Sequence, residues 1–342
     1  MAKKKTSIKD IAEALGISIT TVSFIINGKA REKRISEEMT QKVTDYIKKI
    51  GYKPSHLAQS LRLGKSRVIV FMVEDISNQF FASIARLIEE KAYKNGYKII
   101  YCSTDNDVNK AKELISTFKM RNVDGFIITP TPDLETTIIS LMEEEQALVL
   151  FDRWIPELDT SYVVVENQKS AKEATLHLID QGSKNIGFVT VDSNQTQMLD
   201  RLAGFQEAIT EKGSNQETLK ISPFIIEKKQ ISLHIQDFLT MHPSLDALFF
   251  STNYLAFEGL LALAALGKKI PEDIKILSFD DHYLFNLYQP KITSIEQPLE
   301  AIAEKLMESI LGQLDAEAPS KPPQKVVLPN KLNIRESSLK GF

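Results

Sequence analysis

The sequence predicts a small all-α head, a linker, and an α/β body made of two parallel-sheet lobes. Three observations carry that expectation. Two short amphipathic helical segments flank a turn between residues 7 and 28. From Val68 onward, β-rich runs alternate with amphipathic helices. Charge is divided unevenly, with 15 cationic against 6 anionic side chains over residues 1–67 and 27 against 39 over the remainder. A basic head on an acidic body suits a polyanion-binding module attached to a sensor or an enzyme. A chain of 342 residues, 43% of them hydrophobic, is enough for two or three cored domains.

The first helix carries Ile8, Ile11, Ala12 and Leu15 on one face and stops at Gly16, which can take the left-handed conformation that ends helices. Ser18 is placed to cap a second helix, whose Val22, Ile25 and Ile26 face a small core. Such a pair sets its second helix in a DNA major groove. Ile19, Thr20 and Phe24 then point away from the core as candidate base readers, while Ser18, Thr21, Ser23 and Asn27 suit phosphate oxygens. Lys9, Arg31, Lys33, Arg34 and Arg62 add cations for the DNA backbone. Lys3 to Lys5 read equally well as a solvated basic tail. Ser36 caps a third helix through Ile50, with Met39, Val43, Ile47 and Ile50 on one face, and Gly51 stops it.

The stretch from Tyr52 to Arg67 holds Pro54, Gly64 and a short apolar set, Leu57, Ala58, Leu61 and Leu63, and reads as a linker with a brief helix. Gly64-Lys65-Ser66 looks like the end of a phosphate loop, but Gln59 stands where that loop needs a glycine and no strand precedes it. In the body, strands are expected at 68–73, 97–101, near 125–129, 147–151, 162–165, 186–191, 223–227, 247–251 and 274–279, with helices around Phe80 to Ile88, at 170–181 and near 299–314. Two sheets fit this count better than one very wide one. Ligands of such sheets bind outside the carboxyl ends of the strands, hence between two facing lobes.

Several polar residues stand at those ends. Asp152, Arg153 and Trp154 follow the run at 147–151, Asn253 follows 247–251, and Asp280 follows 274–279. Carboxylates and amides there can grip vicinal hydroxyls, Arg201 can make a forked pair, and Phe80, Phe81 or Trp154 can cover a sugar or base ring. Enzyme readings find little support. The five histidines show no metalloprotease spacing, no nucleophile elbow is present, and Asp280 and Asp281 would point to opposite faces. No catalytic residue, metal or cofactor is expected. Cys102 is read as inert buried strand without a disulfide framework. Neither a membrane span nor a signal peptide is legible, so the expected location is cytoplasmic.

The chain resembles the lac repressor (LacI) family of transcription regulators over essentially its full length. The resemblance rests on Ile8-Lys-Asp-Ile-Ala12, Ser18 with Thr21-Val-Ser23, Gly51-Tyr52 with Pro54, Leu57-Ala-Gln-Ser-Leu61, Asn78 with Phe80-Phe81, Val123-Asp-Gly125, Asp152-Arg153, Arg201-Leu-Ala-Gly-Phe205, Phe279-Asp-Asp281, and Leu332 with Arg335-Glu-Ser337. It implies a head over 1–53, a hinge helix or linker over 54–67, and a body over 68–342 with the two-lobe fold of type I periplasmic binding proteins. The expected lobes are about 68–166 with 296–325, and 167–295 with 326–342. It further implies a homodimer on near-palindromic operator DNA, with Leu57, Ala58, Gln59 and Leu61 in the minor groove and Leu61 as the wedge. A small-molecule effector, a sugar in preference to a purine, would be held by Asp152, Arg201, Asn253 and Asp280, and less firmly by Phe80, Phe81 and Arg153. Three residues depart from the family pattern: Phe24 where a polar base reader is common, Ser55 for Asn, and Gln59 for Arg. The rival reading is a solute receptor with the same lobes and no regulatory DNA role, which the basic head opposes.

Overall fold

Apolar residues spaced three or four apart in the head's helices converge on one cluster. Helices α1 (Ile8–Leu15), α2 (Ile19–Ile26) and α3 (Glu37–Ile50) bury Ile11, Ala12, Val22, Ile25 and Val43, with Ala30 closing the cluster from the intervening loop. Each helix start is capped by a serine: Ser7 in a reciprocal capping box with Asp10, Ser18 accepting from the Thr21 amide, and Ser36 from the Met39 amide. Gly16 and Gly51 end α1 and α3 at φ +67° and +62°, where any Cβ would be strained. The computed structural model describes residues 7–52, 65–223, 228–315 and 322–341. It divides into two units, Met1–Ser66 and Arg67–Phe342. Ser55, Leu57, Ala58, Gln59, Leu61 and Arg62, and with them the hinge expectation, lie outside the described residues, as do Lys3 to Lys5.

In the second unit the strands are β1 (Val68–Val73), β2 (Lys98–Ser103), β3 (Gly125–Ile128), β4 (Ala147–Phe151), β5 (Ser161–Val165), β6 (Asn185–Val191), β7 (Asn215–Ile221), β8 (Ala247–Phe250), β9 (Lys275–Phe279), β10 (Thr293–Glu296), β11 (Lys325–Leu328) and β12 (Lys331–Asn333). The helices between them are α4 (Gln79–Lys94), α5 (Val108–Met120), α6 (Glu135–Glu143), α7 (Asn167–Asp180), α8 (Thr196–Lys212), α9 (Lys228–Met241), α10 (Asn253–Ala265) and α11 (Leu299–Leu314). Among the described residues they form two sheets, ordered β11-β5-β4-β3-β1-β2 and β12-β10-β9-β8-β6-β7. The first is parallel throughout; in the second only β12 runs antiparallel, to β10. The two orders match position for position, so β4 and β9 are counterparts, as are β1 and β6. Helices cover both faces, which explains why the central strands read as unbroken apolar runs.

Three chain crossings join the lobes: β5 to α7, β10 to α11, and β11 to β12. The last falls later than the sequence suggested. Lys325–Leu328 pairs with β5, and its Val326 and Leu328 pack on the first lobe's core, so the chain crosses only after Leu328. The strand expected near 223–227 reaches into residues outside those described, and the strand of that region is β7, Asn215–Ile221. Its polar sequence hid it, because it lies at the sheet edge, mostly exposed. Edge placement also corrects Cys102, which lies on β2 and is half-buried rather than core; partial burial still pushes its thiol up to about 11. The helix expected at 170–181 starts earlier, at Asn167.

Helices α7 and α8 approach unusually closely at Gly204, where an added Cβ would stand 2.0 Å from the carbonyl oxygen of Gln168. Backbone cannot yield there as a flexible side chain would. Gly204→Ala is therefore expected to force the helices apart and destabilise the second unit by about 1–3 kcal/mol. Thermal unfolding checks it, and a melting temperature equal to wild type would refute the packing described.

Candidate DNA-contact face and ligand cleft

On the head, the first turn of α2 is turned to solvent. Ile19 is 49% exposed and Thr20 is exposed beside it, while Phe24, one turn on, is half-buried with Lys33 Nζ 5.7 Å from its ring centre. The hydroxyls of Ser18 and Thr21 lie 2.8 Å apart, and the Asn27 amide donates to the Ser23 carbonyl, so these groups are oriented by local bonds. Lys9 reaches within 3.9 Å of Glu13, Arg31 within 3.6 Å of Glu37 and Lys33 within 3.0 Å of Glu32. Arg34 is exposed, at φ +53°. An exposed apolar and hydroxyl pair at a helix start, on a head that also carries Lys9, Arg31, Lys33 and Arg34, can enter a polyanion's groove.

In the body, the carboxyl ends of the strands bring together acids and guanidinium groups from both lobes. Asp152 and Asp280 end the counterpart strands β4 and β9, both in the left-handed conformation, at φ +69° and +67°. Short Asx side chains tolerate that region, and its strain is commonly found at binding sites. Arg153, 3% exposed, donates to Glu74 at the end of β1, to Asn106 Oδ1 at 2.9 Å and toward the Pro130 carbonyl, while its Nε lies 3.6 Å from Asp152 Oδ2. From the other lobe, Arg201 is 2% exposed. Its Nε donates to Asn167 Oδ1 at 2.9 Å, its Nη1 to the Ser251 carbonyl at 2.7 Å, and Nη1 faces Asp280 Oδ2 at 3.5 Å. Its guanidinium lies 3.6 Å from the Phe279 ring centre.

Contacts cross the gap. The Gln195 amide reaches Asn106 Oδ1 at 3.4 Å, and the Trp154 amide reaches Thr196 Oγ1 at 3.4 Å. Burial pushes the Asp152 carboxyl up to about 6, Arg153 and Arg201 pull it back, and Asp280 and Glu74 raise it further. Asn253, 6% exposed, begins α10 behind its Thr252 cap. Phe80 is half-buried and stacks on Phe151 at 5.7 Å between centres; Phe81 is committed to the first lobe's core. Trp154 packs on Tyr162 with ring centres 5.1 Å apart and planes tilted by 32°. Asp281 turns the opposite way from Asp280, gripping Arg335 through two bonds of 2.9 Å.

Sequence reasoning missed Glu74, Asn106, Thr129, Thr131, Gln197 and Tyr254. Buried hydroxyls of Thr129 and Thr131, Arg153 Nε and Gln197 Oε1 make no hydrogen bond among the described residues. Burial pushes the Tyr254 hydroxyl up, Glu74 raises it further, and Thr252, Arg153 and Arg201 pull it back. Glu74, Asn106, Thr129 and Thr131 stand just beyond a strand's carboxyl end, so the rule that found Asp152 would have found them, whereas Gln197 and Tyr254 lie in the first turns of α8 and α10. No group of three His, Cys, Asp or Glu side chains suited to a metal occurs among the described residues, and no helix there is long and apolar enough to cross a membrane.

Comparison with known proteins adds the family evidence. Residues 7–55 match the model of bacterial regulatory proteins of the lacI family, and 175–338 match a periplasmic binding protein-like domain. A ribose operon repressor of Halalkalibacterium halodurans is 30% identical over 341 residues, 98% of either chain. The HTH-type transcriptional regulator KdgR of Bacillus subtilis is also 30% identical over 341 residues, 98% of this chain and 99% of the relative. A LacI family transcriptional regulator from Enterococcus faecium with bound ribose superposes with a TM-score of 0.71 at 24% identity, covering 80% of this chain and 98% of that one.

The raised Asp152 carboxyl has a consequence for stability. Folding holds a proton there that the unfolded chain releases at its ordinary value of 3.8, so stability falls as pH rises from about 4 to about 6. Asp152→Asn removes the ionisation. Relative to wild type it is expected to gain roughly 3 kcal/mol between pH 4 and pH 7. Chemical denaturation of both proteins across that range measures the difference, and a pH-independent gap would contradict the burial described.

Proposed function

Because the chain belongs to the lacI family of bacterial regulatory proteins, we propose that it is a cytoplasmic homodimeric repressor whose two heads read a near-palindromic operator and whose cleft binds a neutral sugar. The observation that carries the ligand assignment is the charge inventory of the cleft. Glu74, Asp152 and Asp280 outnumber Arg153 and Arg201, and both guanidinium groups are already engaged by carboxylates. An anion would enter against surplus negative charge, whereas sugar hydroxyls donate to carboxylates and accept from Arg153 Nε and the Thr129 and Thr131 hydroxyls. The half-buried rings of Phe80 and Trp154 suit the apolar face of a pyranose or furanose. The name of the ribose operon repressor relative makes D-ribose the first compound to try.

Two further observations support the dimer and the operator reading. Tyr283 (60% exposed), Leu287 (69%) and Leu261 (60%) leave apolar surface uncovered on the second lobe, which a second copy would bury. Thr20 and Ile19 offer hydroxyl and apolar contacts to base edges, and Phe24 can meet a thymine methyl but cannot pair with guanine. Ser18, Thr21, Ser23, Asn27, Lys9 and Arg34 take the phosphates. Regulation is then linkage: a sugar that prefers one arrangement of the lobes shifts operator affinity by its preference and no more.

Melting-temperature shifts with D-ribose, other neutral sugars, sugar phosphates and purines test the cleft. A neutral sugar is expected to raise the melting temperature of wild type, and Arg201→Lys, which keeps the charge and loses the fork, to weaken binding tenfold or more. Stabilisation by a sugar phosphate or purine alone would refute the neutral-sugar assignment. Fluorescence anisotropy with a palindromic and a random duplex tests the head. Thr20→Ala is expected to lose about 1–3 kcal/mol of discrimination, while Lys9→Ala weakens both duplexes alike and lowers the salt slope by about 1. Equal wild-type affinity for the two duplexes at moderate salt would sink the operator reading.

A further inference from the structure

The three crossings are the covalent links between the lobes, so a change in the angle between lobes is absorbed there. Two of them end in a buried amide side chain bonded to the same ion pair. Asn167, 4% exposed, stands immediately after the β5 crossing. Its Oδ1 accepts from Arg201 Nε at 2.9 Å while its Nδ2 donates back to the carbonyl of Val165 at 3.3 Å, the last residue of the first lobe's strand. Gln297, 6% exposed, stands in the β10 crossing, and its Nε2 donates to Asp280 Oδ1 at 2.6 Å. Arg201 Nη1 and Asp280 Oδ2 face each other at 3.5 Å. A continuous path of hydrogen bonds thus runs from one crossing to the other through the pair: Val165, Asn167, Arg201, Asp280, Gln297.

The third crossing provides the contrast. Asn330 is half-buried, and its amide donates to Ser170 on α7 at 2.9 Å and makes no bond to the pair. A crevice of about 270 Å³ lies beside the second crossing, lined by Gln79 of the first lobe and by Asp280, Tyr283, Asn286 and Gln297, so the lobes have room to move against one another there.

We propose that Asn167 and Gln297 are positioning residues that set the angle between the lobes by tying two crossings to the Arg201–Asp280 pair. On the ligand-cleft reading above, this is the route by which an occupied cleft reaches the crossings, although the lobe angle itself is defined without any ligand. The two amides act in opposite electrical senses. Asn167 presents an oxygen to a guanidinium, and Gln297 presents an N–H to a carboxylate. Converting each to its carboxylate therefore separates their chemistry from mere space filling. Asn167→Asp keeps and strengthens the acceptor for Arg201 but loses the Nδ2 donor to the Val165 carbonyl, whereas Gln297→Glu sets one carboxylate against another.

Pulsed electron paramagnetic resonance on the full chain tests this, with spin labels at Lys112→Cys on α5 and Thr240→Cys on α9 in a Cys102→Ser background. The distance distribution is expected to shift and broaden in Asn167→Ala and Gln297→Ala. It should stay at the parent value in Asn330→Ala, shift less in Asn167→Asp, which keeps the acceptor for Arg201 but loses the Val165 bond, than in Asn167→Ala, which loses both, and depart furthest in Gln297→Glu. Melting curves show that each variant is folded, and Asn167→Ser or Gln297→Ser replaces an alanine variant that is not. Unchanged distributions in the alanine variants, or the same response to both carboxylate changes, would overturn the proposal. Failure of every sugar to bind would leave this measurement untouched, so the two readings fail separately.

Discussion

A guanidinium withdrawn from water must find acceptors for its N–H groups and a counter-charge, or it destabilises the fold by several kcal/mol. Arg201 imposes that constraint on the second lobe. Its acceptors come from the start of α7, the end of β8 and the end of β9, and its face rests on the ring of Phe279. Together with its own helix α8, four separate segments are thereby brought to one point at the carboxyl edge of the sheet. Arg153 does the same for the first lobe with Glu74, Asn106 and the Pro130 carbonyl, drawn from the ends of β1, β2 and β3. The cleft is therefore shaped by two buried cations, one on each wall, before any ligand is considered.

The counterpart relation between lobes gives this arrangement its economy. Asp152 and Asp280 occupy the same place at the end of counterpart strands and share an uncommon backbone conformation. Their surroundings nevertheless differ. Asp280 accepts from Gln297 and faces Arg201, so its charge is met by donors. Asp152 is buried with its nearest guanidinium nitrogen 3.6 Å away and with Glu74 and Asp280 opposing it. One carboxylate is settled, and the other is held at the expense of stability, which is the usual mark of a group kept for contact with something else.

Much of this was legible in the chain. Serine caps, glycine stops and helical spacing located α1 to α3, and apolar runs located the central strands because both of their faces are covered. Asp152, Arg153, Asn253 and Asp280 could be picked out because they follow such runs; Asp280 and Asp281 do take different partners, but not by the strand alternation expected, since both lie beyond β9 and Asp280 is in the left-handed conformation. What failed has physical causes. β7 carries edge-strand polarity and so has no apolar run to find; β11 alternates as an edge strand whose lobe is decided by its partner, β5. Cys102 was misjudged because a side chain's share of burial depends on which strand or helix lies opposite. Asn167 and Gln297 carry no local signal at all, since their importance lies in bonds to residues 34 and 17 positions away.

The path of the chain between lobes also bears on its birth at the ribosome. The first lobe's sheet is completed only by Lys325–Leu328, and its core is sealed by Ile302, Leu306 and Ile310 of α11, all of which emerge after the entire second sheet except β12 has been made. Nascent chains ending anywhere in that interval expose an apolar sheet face that nothing yet covers, and neither lobe can finish as an independent folding unit ahead of the other. Premature termination within that interval thus leaves two unfinished lobes instead of one sound lobe and one missing one, and the emerging chain presents chaperones with hydrophobic surface until Lys325–Leu328 is out.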